Sequence, residues 1–214
     1  MTKRQLTPFD KLFIQLDNSL RVITGATPAA SRPSPAQDQP DATLTAHEKR
    51  HAAGLMRVNH SGEICAQGLY QGQALTAKLP ATRESMEQAA REEVDHLAWC
   101  KQRLQALDSK TSVLNPLWYT ASFGLGAGAG LISDRLSLGF VAATEQQVCK
   151  HLESHLQELP EKDEKSRAVV AEMLIDEAKH ATSALAAGAW PFPTPLKKAM
   201  SVVAKAMTAS SYRW

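Results

Sequence analysis

The sequence predicts an all-α protein. Apolar residues recur every three or four positions along most of the chain, as they do on the buried face of an amphipathic helix. Pro80 and Pro160 each follow a long helical pattern and mark where that helix should end. No stretch of alternating β-branched and polar residues competes with the helical pattern.

The N-terminal part divides into a helix and a linker. Residues 6–23 carry an apolar stripe at helical spacing, and residues 26–40 contain four prolines among Ser, Gln and Asp. Such a composition is typical of a flexible linker. We therefore separate residues 1–45, an amphipathic segment with a Pro-rich linker, from a folded body at 46–214. The stripe consists of Phe9, Leu12, Phe13, Leu16, Leu20 and Ile23.

The body should contain four long helical segments and one short one. The third long segment begins near Pro116 and leaves room for an internal break. The short last helix carries an apolar stripe at helical spacing with lysines elsewhere on its surface. The predicted ranges are 46–79, 81–107, 116–159, 161–187 and 195–210.

Charge and cysteine content exclude several classes of protein. The net charge of the 214 residues is only +2, so nothing overall suggests a nucleic-acid partner. The segment 181–214 has four basic residues and no acidic one, which favours an anionic surface such as a membrane. Three scattered cysteines (Cys65, Cys100 and Cys149) without a CxxC motif favour free thiols in a reducing compartment.

Two copies of an ExxH motif carry the strongest chemical information. Glu93 and His96 are three residues apart on one predicted helix, and Glu177 and His180 are three apart on another. Residues at this spacing share a helix face, so each pair can bind one metal ion. A single ExxH motif is weak, because Glu and His are common on solvated helices, but two on separate helices are much stronger.

A further glutamate precedes each motif. Glu63 lies 30 residues before Glu93, and Glu145 lies 32 residues before Glu177. One Glu from each of two helices and an ExxH from each of two others form the ligand set of ferritin-like di-iron and di-manganese proteins. We therefore expect a ferritin-like four-helix bundle with six metal ligands, namely Glu63, Glu93, His96, Glu145, Glu177 and His180.

The charges of this set agree with a pair of divalent cations. Four buried carboxylates would repel each other, whereas two such ions would balance them. Carboxylate with imidazole suits iron or manganese better than zinc. Glu92 and Asp176 each precede a ligand histidine by four residues, so each is expected to accept the proton of a ligand imidazole in its own or the facing helix, unless it is simply a solvated charge.

Other polar residues near the motifs have simpler interpretations. Tyr70 lies two turns after Glu63, so it either touches the site or is a core tyrosine. His60 falls on a different helix face from Glu63, and His151 and His155 are expected at the surface.

An uncharged segment at 111–133 allows two interpretations. Its 23 residues are long enough to span a bilayer, but Asn115-Pro116 and four alternating glycines interrupt it. Gly124/Gly128 and Gly126/Gly130 are GxxxG pairs, which permit close helix packing. The segment therefore either packs tightly in the bundle or forms a hydrophobic surface that enters lipid and admits an apolar substrate.

The C-terminal helix resembles an interfacial one. It combines an apolar stripe with basic residues and flanking aromatic residues, so we expect it to lie on a membrane without spanning it. The stripe is Leu196, Met200, Val203 and Met207, and the aromatic residues are Trp190, Phe192, Tyr212 and Trp214.

Four motifs in order resemble the demethoxyubiquinone hydroxylases, di-iron monooxygenases of ubiquinone biosynthesis. They are Asn59-His-Ser-Gly-Glu63, Glu92-Glu-Val-Asp-His-Leu97, the run from Asn115-Pro-Leu-Trp118 through Phe123-Gly-Leu-Gly-Ala-Gly128, and Asp176-Glu-Ala-Lys-His180. The resemblance covers about residues 50–210 and departs from the usual family motif at Ser61, where alanine is common. It implies one iron held by Glu63, Glu93 and His96 and another by Glu145, Glu177 and His180, with Glu93 and Glu177 bridging.

The resemblance also implies an activity and its partners. The expected reaction is hydroxylation of a polyprenylated methoxy-methyl-benzoquinol by O₂, with two Fe ions per chain. Electrons would come from an external donor, either NADH or a reductase, or from the quinol itself. The expected location is peripheral, on the cytoplasmic face of the bacterial inner membrane, with other ubiquinone-biosynthesis proteins or a second copy as candidate partners. Iron storage or peroxide reduction, and a metal-free membrane-surface adaptor, are the alternatives.

Overall fold

The structure, a computed structural model, describes residues 7–26 and 29–213. Within these residues the chain forms seven α-helices and no strand, which confirms the all-α prediction. The stripe residue Leu12 (its side chain), the linker residue Pro28 and the terminal Trp214 lie outside this description. The helices are α1 Pro8–Thr24, α2 Ala46–Thr76, α3 Pro80–Ala106, α4 Asn115–Ile132, α5 Asp134–Glu158, α6 Glu164–Ala186 and α7 Thr194–Ser211.

Helices α2, α3, α5 and α6 form a four-helix bundle. Helix α2 pairs with α3 and α5 pairs with α6, and the two pairs meet through α3 with α6 and α2 with α5. This is the helix arrangement of ferritin-like proteins. A core that includes Met56, Trp99, Leu152 and Met173 fills one end of the bundle.

Local sequence determines where these helices begin. The Thr45 hydroxyl accepts the Glu48 amide proton, and the Glu48 carboxylate accepts the Thr45 amide proton, so a capping box starts α2 where it was predicted. Pro80 occupies the first turn of α3, where no amide proton is needed. The Asp163 carboxylate accepts the Ser166 amide proton at the start of α6.

The third long segment is broken at Ser133. This residue is extended, with φ −165° and ψ 152°, and its hydroxyl accepts the Leu136 amide proton. Ser133 therefore ends α4 and caps α5 at the same point, and the break allowed by the sequence is confirmed.

The backbones of α4 and α2 are in direct contact. A Cβ on Gly126 would lie 2.2 Å from the Leu69 carbonyl oxygen, and a Cβ on Gly72 would lie 2.3 Å from the Phe123 carbonyl oxygen. Gly124 and Gly128 have no such neighbour, so only the Gly126/Gly130 pair mediates the close packing.

The opposite face of α4 is apolar and exposed. It presents four large side chains to the outside, and no described helix is long and apolar enough to cross a bilayer. Both interpretations of the 111–133 segment therefore retain support, because one face packs and the other remains uncovered. The exposed residues are Leu117, Leu125, Leu131 and Ile132.

The N-terminal segment lies against the bundle. The helix predicted there is α1, but most of its stripe faces outward, with Phe13 66% exposed. It contacts the body through buried Val22 and through a 2.7 Å hydrogen bond between Ser19 Oγ and Tyr119 Oη. The Pro-rich linker differs from the flexible tether expected from its composition, because Ser31 and Arg32 hydrogen-bond to α3 and α6.

Two expectations about individual residues were wrong. His155 is buried, 6% exposed, with Nδ1 2.6 Å from Asn59 Oδ1, because α5 turns it towards α2. Two of the aromatic residues flanking α7 also face inward. Phe192 packs edge-on against Phe140, and the ring of Tyr212 lies against Gly54.

Candidate metal centre

The four bundle helices bring all six predicted ligands into the interior. The five residues Glu63, Glu93, His96, Glu145 and Glu177 are almost completely buried, and His180 is nearly so. Helix α2 supplies Glu63, α5 supplies Glu145, and each ExxH motif occupies one turn of α3 or α6. Burying so many ionisable groups in one place is costly unless they are paired or bind metal.

The His96 ring points one nitrogen into the carboxylates. Its Nδ1 lies 2.9 Å from Glu93 Oε2, 3.2 Å from Glu177 Oε1 and 3.6 Å from Glu63 Oε2. Ligand atoms of these four residues all lie within 4.8 Å of one another, a group that fits a metal ion.

The second ring meets the same central carboxylates. His180 Nδ1 lies 3.1 Å from Glu93 Oε1 and 3.3 Å from Glu177 Oε2. Glu93 and Glu177 therefore lie beside both imidazoles, one oxygen towards each. This is the position expected of carboxylates that bridge two ions.

Glu145 completes the set on the side of Tyr70. The Tyr70 hydroxyl donates a hydrogen bond to Glu145 Oε1, and the Tyr70 and His180 rings meet edge to face at 6.4 Å. Tyr70 is fully buried and belongs to the core as well. Both interpretations made from the sequence are therefore correct for this residue.

The outer nitrogen of each imidazole binds a carboxylate of the facing helix. His96 Nε2 lies 3.1 Å from Asp176 Oδ2, and His180 Nε2 lies 2.8 Å from Glu92 Oε2. The expected contact of each carboxylate with a histidine of an ExxH motif is therefore present, and in both cases it crosses to the facing helix. With metal bound, such a contact would hold the proton on Nε2 and leave the Nδ1 lone pair free to bind the ion.

The pKa shifts of the buried groups show that this site favours positive charge. Burial raises the pKa of Glu63 and of Glu145 well above the usual range, and neighbouring carboxylates raise it further. Burial opposes ionisation of His180, but the surrounding carboxylates outweigh it and raise its pKa to about 12. Without metal, protons must balance the carboxylates.

The buried donor set can hold a divalent metal ion. Glu93 Oε1 is buried without a hydrogen bond of good geometry from any described residue. Cations at the two Nδ1 atoms would satisfy this oxygen and replace the retained protons. Four carboxylates and two imidazoles match iron or manganese.

The residues that precede Glu63 in its motif form hydrogen bonds with neighbouring helices. Ser61 Oγ donates to Asn115 Oδ1 at 2.8 Å, and Asn115 Nδ2 lies 3.3 Å from His60 Nδ1. Asn59, His60 and Ser61 therefore connect α2 to α4 and α5. His60, three residues before Glu63, has its described hydrogen bond with Asn115 of α4.

Neither Arg32 nor Asp95 was predicted to be part of the site, although Asp95 lies within the Glu92–Leu97 motif. The Arg32 guanidinium crosses the outside of the site, where Nε lies 2.9 Å from Asp95 Oδ2 and Nη2 lies 2.6 Å from Asp176 Oδ2. Arg32 precedes its two partners by 63 and 144 residues, so no local pattern pointed to it.

A cleft of about 780 Å³ opens between α1, α2 and α3. Its lining includes Ile14 and Val22 of α1, Ala74 of α2 and Val94 of α3, and it reaches Tyr70. Since the Tyr70 hydroxyl binds Glu145, the inner end of this cleft is one side chain away from the carboxylates.

Comparison with known proteins identifies similar sequences along the whole chain. A family model described as "Ubiquinone biosynthesis protein COQ7" matches residues 50–211. Curated relatives from Pseudomonas putida (strain GB-1), Pseudomonas syringae pv. syringae (strain B728a) and Pseudomonas fluorescens (strain SBW25) are 59%, 59% and 60% identical over 212 residues. Each alignment covers 99% of both chains, and each relative is named 3-demethoxyubiquinol 3-hydroxylase. The similarity therefore includes the N-terminal segment, which the motifs had left out.

Proposed function

This chain belongs to the COQ7 family of ubiquinone biosynthesis proteins, and from that premise we propose that it hydroxylates a demethoxyubiquinol ring with O₂ at a pair of iron ions. The observation that carries the proposal is the paired geometry of the two imidazoles. Each directs Nδ1 at the shared carboxylates and is held through Nε2 by the facing helix.

The six residues divide into two half-sites. Glu63, Glu93 and His96 would hold one iron, and Glu145, Glu177 and His180 the other, with Glu93 and Glu177 shared. Bound iron would supply the reduction of O₂ and the transfer of one oxygen atom to the ring. The protein side chains neutralise charge, keep the ligand atoms in place and exclude bulk water from the buried interior.

The cleft beside Tyr70 is the proposed quinol site. Its lining combines apolar side chains of three helices and a wall formed by Tyr70 with the buried Gln67 amide and six charged residues, which suits an aromatic ring with polar substituents and an apolar tail. A second cleft reaches His180, but six of its twelve lining residues are charged and only Ala29 and Val94 are apolar. That lining suits a polyprenylated substrate less well.

A membrane surface is the proposed source of the substrate. We define the α1–α4 apolar surface as the exposed residues Phe9, Phe13, Leu16, Leu20, Leu117, Leu125, Leu131 and Ile132. The two helices are neighbours joined by Ser19 and Tyr119, and α1 also borders the quinol cleft. Apolar side chains that dip into lipid would bring the mouth of the cleft to the bilayer.

Helix α7 carries exposed basic side chains that can bind an anionic membrane. Lys198 and Lys205 are exposed on it, together with Val202 and Val203. Lysines near an anionic leaflet favour binding. We therefore propose a peripheral protein on the cytoplasmic face of the bacterial inner membrane, supplied with electrons by NADH or a reductase.

The direct test is turnover by the purified protein. It is loaded anaerobically with Fe(II) and given a short-tailed demethoxyquinol, a reductant and ¹⁸O₂, and the quinones are analysed by mass spectrometry. We expect a product carrying one ¹⁸O atom and about two irons per chain in a parallel metal analysis. Fewer than about one iron per chain, or a product without label, would contradict the proposal.

A cellular test checks substrate and reaction together. A strain that lacks its own demethoxyquinol hydroxylase should accumulate the demethoxyquinol and lose it when this chain is expressed. Persistent accumulation, with the protein present in the membrane fraction, would count against the assignment. An iron-storage protein would fail this test even if it bound two irons.

A further inference from the structure

Arg32 joins the two helices that carry the ExxH motifs. From the linker before α2 its guanidinium reaches Asp95 of α3 and Asp176 of α6, and Nη1 lies 3.5 Å from Glu172 of α6. Helices α3 and α6 make few direct contacts with each other compared with the pairs α2/α3 and α5/α6. A side chain from outside the bundle therefore supplies part of the connection beside the metal centre.

The guanidinium acts on the same oxygen that holds a ligand histidine. Asp176 Oδ2 accepts from Arg32 Nη2 at 2.6 Å and lies 3.1 Å from His96 Nε2. Lys179 Nζ reaches the other oxygen, Oδ1, at 3.1 Å. Arg32 and Lys179 therefore each hold one oxygen of the Asp176 carboxylate, and the oxygen bound by Arg32 is the one that meets the His96 ring.

Arg32 is itself held in place. The Ser31 amide donates to Asp95 Oδ1 at 2.6 Å, and Asp95 is buried. The guanidinium carbon lies 4.8 Å from the centroid of the Trp99 ring, a cation–π geometry, and Trp99 is buried. A fixed fork between two carboxylates is a geometry that a lysine cannot reproduce.

The other imidazole has a different environment. His180 Nε2 binds Glu92, whose side chain is 45% exposed and whose other oxygen accepts from Gln88 Nε2. Among the arginine and lysine side chains that the structure describes, none forms an ion pair with Glu92. The two half-sites match in their ligands but differ in what holds those ligands.

We propose that Arg32 is a positioning residue for the His96 half-site, so that the N-terminal linker sets the affinity and environment of one of the two metal ions. The inference rests on the proposed di-iron function. It assigns to the Pro-rich linker a role in metal binding, and it makes the two irons inequivalent. Arg32 acts through Asp176, and its described ion pairs are with Asp95, Glu172 and Asp176, none of which is a proposed ligand.

The test compares three variants of the full-length protein. Arg32→Gln removes the fork, and Arg32→Lys keeps the charge without it. Arg103→Gln is the matched control, because Arg103 of α3 also joins α3 to α6, through Asp163 and Ser166 at 2.8 Å each, but at the end away from the ligand histidines. Circular dichroism and thermal melts establish that each variant folds.

Two measurements report on the metal rather than on turnover. Iron retention is followed against a ferrous chelator, and ⁵⁷Fe Mössbauer spectra of the anaerobic ferrous protein resolve the two sites. We expect Arg32→Gln to release one of its two irons at a roughly tenfold lower chelator concentration and to alter one quadrupole doublet. Arg32→Lys should release that iron at a chelator concentration between those of Arg32→Gln and the wild type. Arg103→Gln should lose thermal stability but keep both irons and the wild-type spectrum.

The outcomes separate the inference from the proposed function. A wild-type protein that binds no iron would overturn both. A wild type with two irons and an Arg32→Gln variant with unchanged retention and spectrum would overturn the inference alone. Equal iron loss in Arg32→Gln and Arg103→Gln would also overturn it, because the effect would then come from general loosening of α3 and α6. If Arg32→Gln fails to fold, Arg32→Lys decides: a wild-type spectrum overturns the inference and an altered doublet supports it.

Discussion

His180 Nε2 on α6 lies 2.8 Å from Glu92 Oε2 on α3. The reciprocal contact joins His96 of α3 to Asp176 of α6 at 3.1 Å. Each ExxH helix therefore supplies the carboxylate that orients the other helix's imidazole. Neither ligand histidine is fixed until both helices are in place, so formation of the metal site depends on correct packing of α3 against α6.

Glu177→Ala is expected to abolish hydroxylation while leaving the helices intact. Glu177 lies beside both imidazoles, and losing an outer partner of a metal ligand already costs about 10–100-fold, so losing a shared ligand should cost more than about 100-fold. Product formation is measured with circular dichroism in parallel. Glu164→Ala, an exposed glutamate at the start of α6, is the control and should keep wild-type activity. Turnover by Glu177→Ala within a few-fold of wild type would contradict the ligand assignment.

The stability of the metal-free protein should fall as pH rises above neutral. Neighbouring carboxylates raise the pKa of His180 to about 12 against burial, and burial raises the pKa of Glu63 and Glu145. Above neutral pH the folded state then retains protons that the unfolded chain has released. The free energy of unfolding is therefore greatest at a pH below the pKa values of the unfolded chain, and it falls as the pH rises towards the pKa values of the folded state. Each extra proton retained lowers the free energy of unfolding by about 1.4 kcal/mol per pH unit.

Thermal melts between pH 7 and 8 measure this dependence. This window lies above the range in which His60 and His155 titrate, because burial lowers their pKa to about 4, and below the ordinary pKa of the Cys65 and Cys149 thiols, which burial raises to about 11. Metal-loaded protein is the control. Its melting temperature should be higher and should not fall over the same range, because bound metal replaces the retained protons. A metal-free melting temperature that rises with pH would contradict this account of the site.

The six candidate ligands could be found from the sequence because helical spacing converts directly into geometry. Two ExxH motifs, each preceded by a glutamate, required only that four helices form, and the caps at Thr45 and Asp163 begin two of them. The carboxylate partners followed from the same spacing. Spacing alone leaves open whether each carboxylate binds the histidine of its own helix or that of the facing helix. The packing of α3 against α6 decides for the facing helix.

What the sequence did not reveal depends on contacts between distant segments. Arg32 lies in a proline-rich stretch whose composition is typical of a linker, and only the fold brings Asp95 and Asp176 to it. His155 looked like a surface residue because charged residues surround it in the sequence, yet it faces Asn59 in the core. The aromatic residue Phe192 suggested a membrane interface, but Phe140 buries it.

Glycines of α4 provide a matched test of the packing between α2 and α4. Gly126→Ala places a Cβ 2.2 Å from the Leu69 carbonyl oxygen, so we expect it to cost about 1–3 kcal/mol. Gly124→Ala on the same helix meets nothing within 4 Å and should gain about 0.5–1 kcal/mol from its lower backbone entropy. Urea unfolding of both variants gives the difference. Equal effects would show that α4 does not pack through the Gly126 face.

Filling the cleft beside Tyr70 should impair substrate binding and spare the metal. Ala90 of α3 lines the cleft, and Ala90→Phe adds a ring to the proposed quinol site. We expect KM for the quinol to rise about tenfold or more, with the iron content unchanged. Ala106→Phe, at the end of α3 outside this cleft, is the control for the added ring. If Ala90→Phe keeps the wild-type KM, the ring binds elsewhere.

The α1–α4 apolar surface should determine membrane binding. Phe13 and Leu16 are 66% and 50% exposed on α1. Because burying each apolar side chain contributes about 1.5–3 kcal/mol, replacing both by glutamate should weaken vesicle binding about a hundredfold or more. Flotation with phosphatidylglycerol-containing vesicles measures the bound fraction. Leu185→Glu is the control, since Leu185 is 45% exposed on α6, away from that surface.

Because α1 also borders the quinol cleft, the double variant should lose turnover of vesicle-embedded quinol but keep turnover of a short-tailed, water-soluble one. Parallel losses on both substrates would mean that α1 shapes the cleft without delivering it to the membrane.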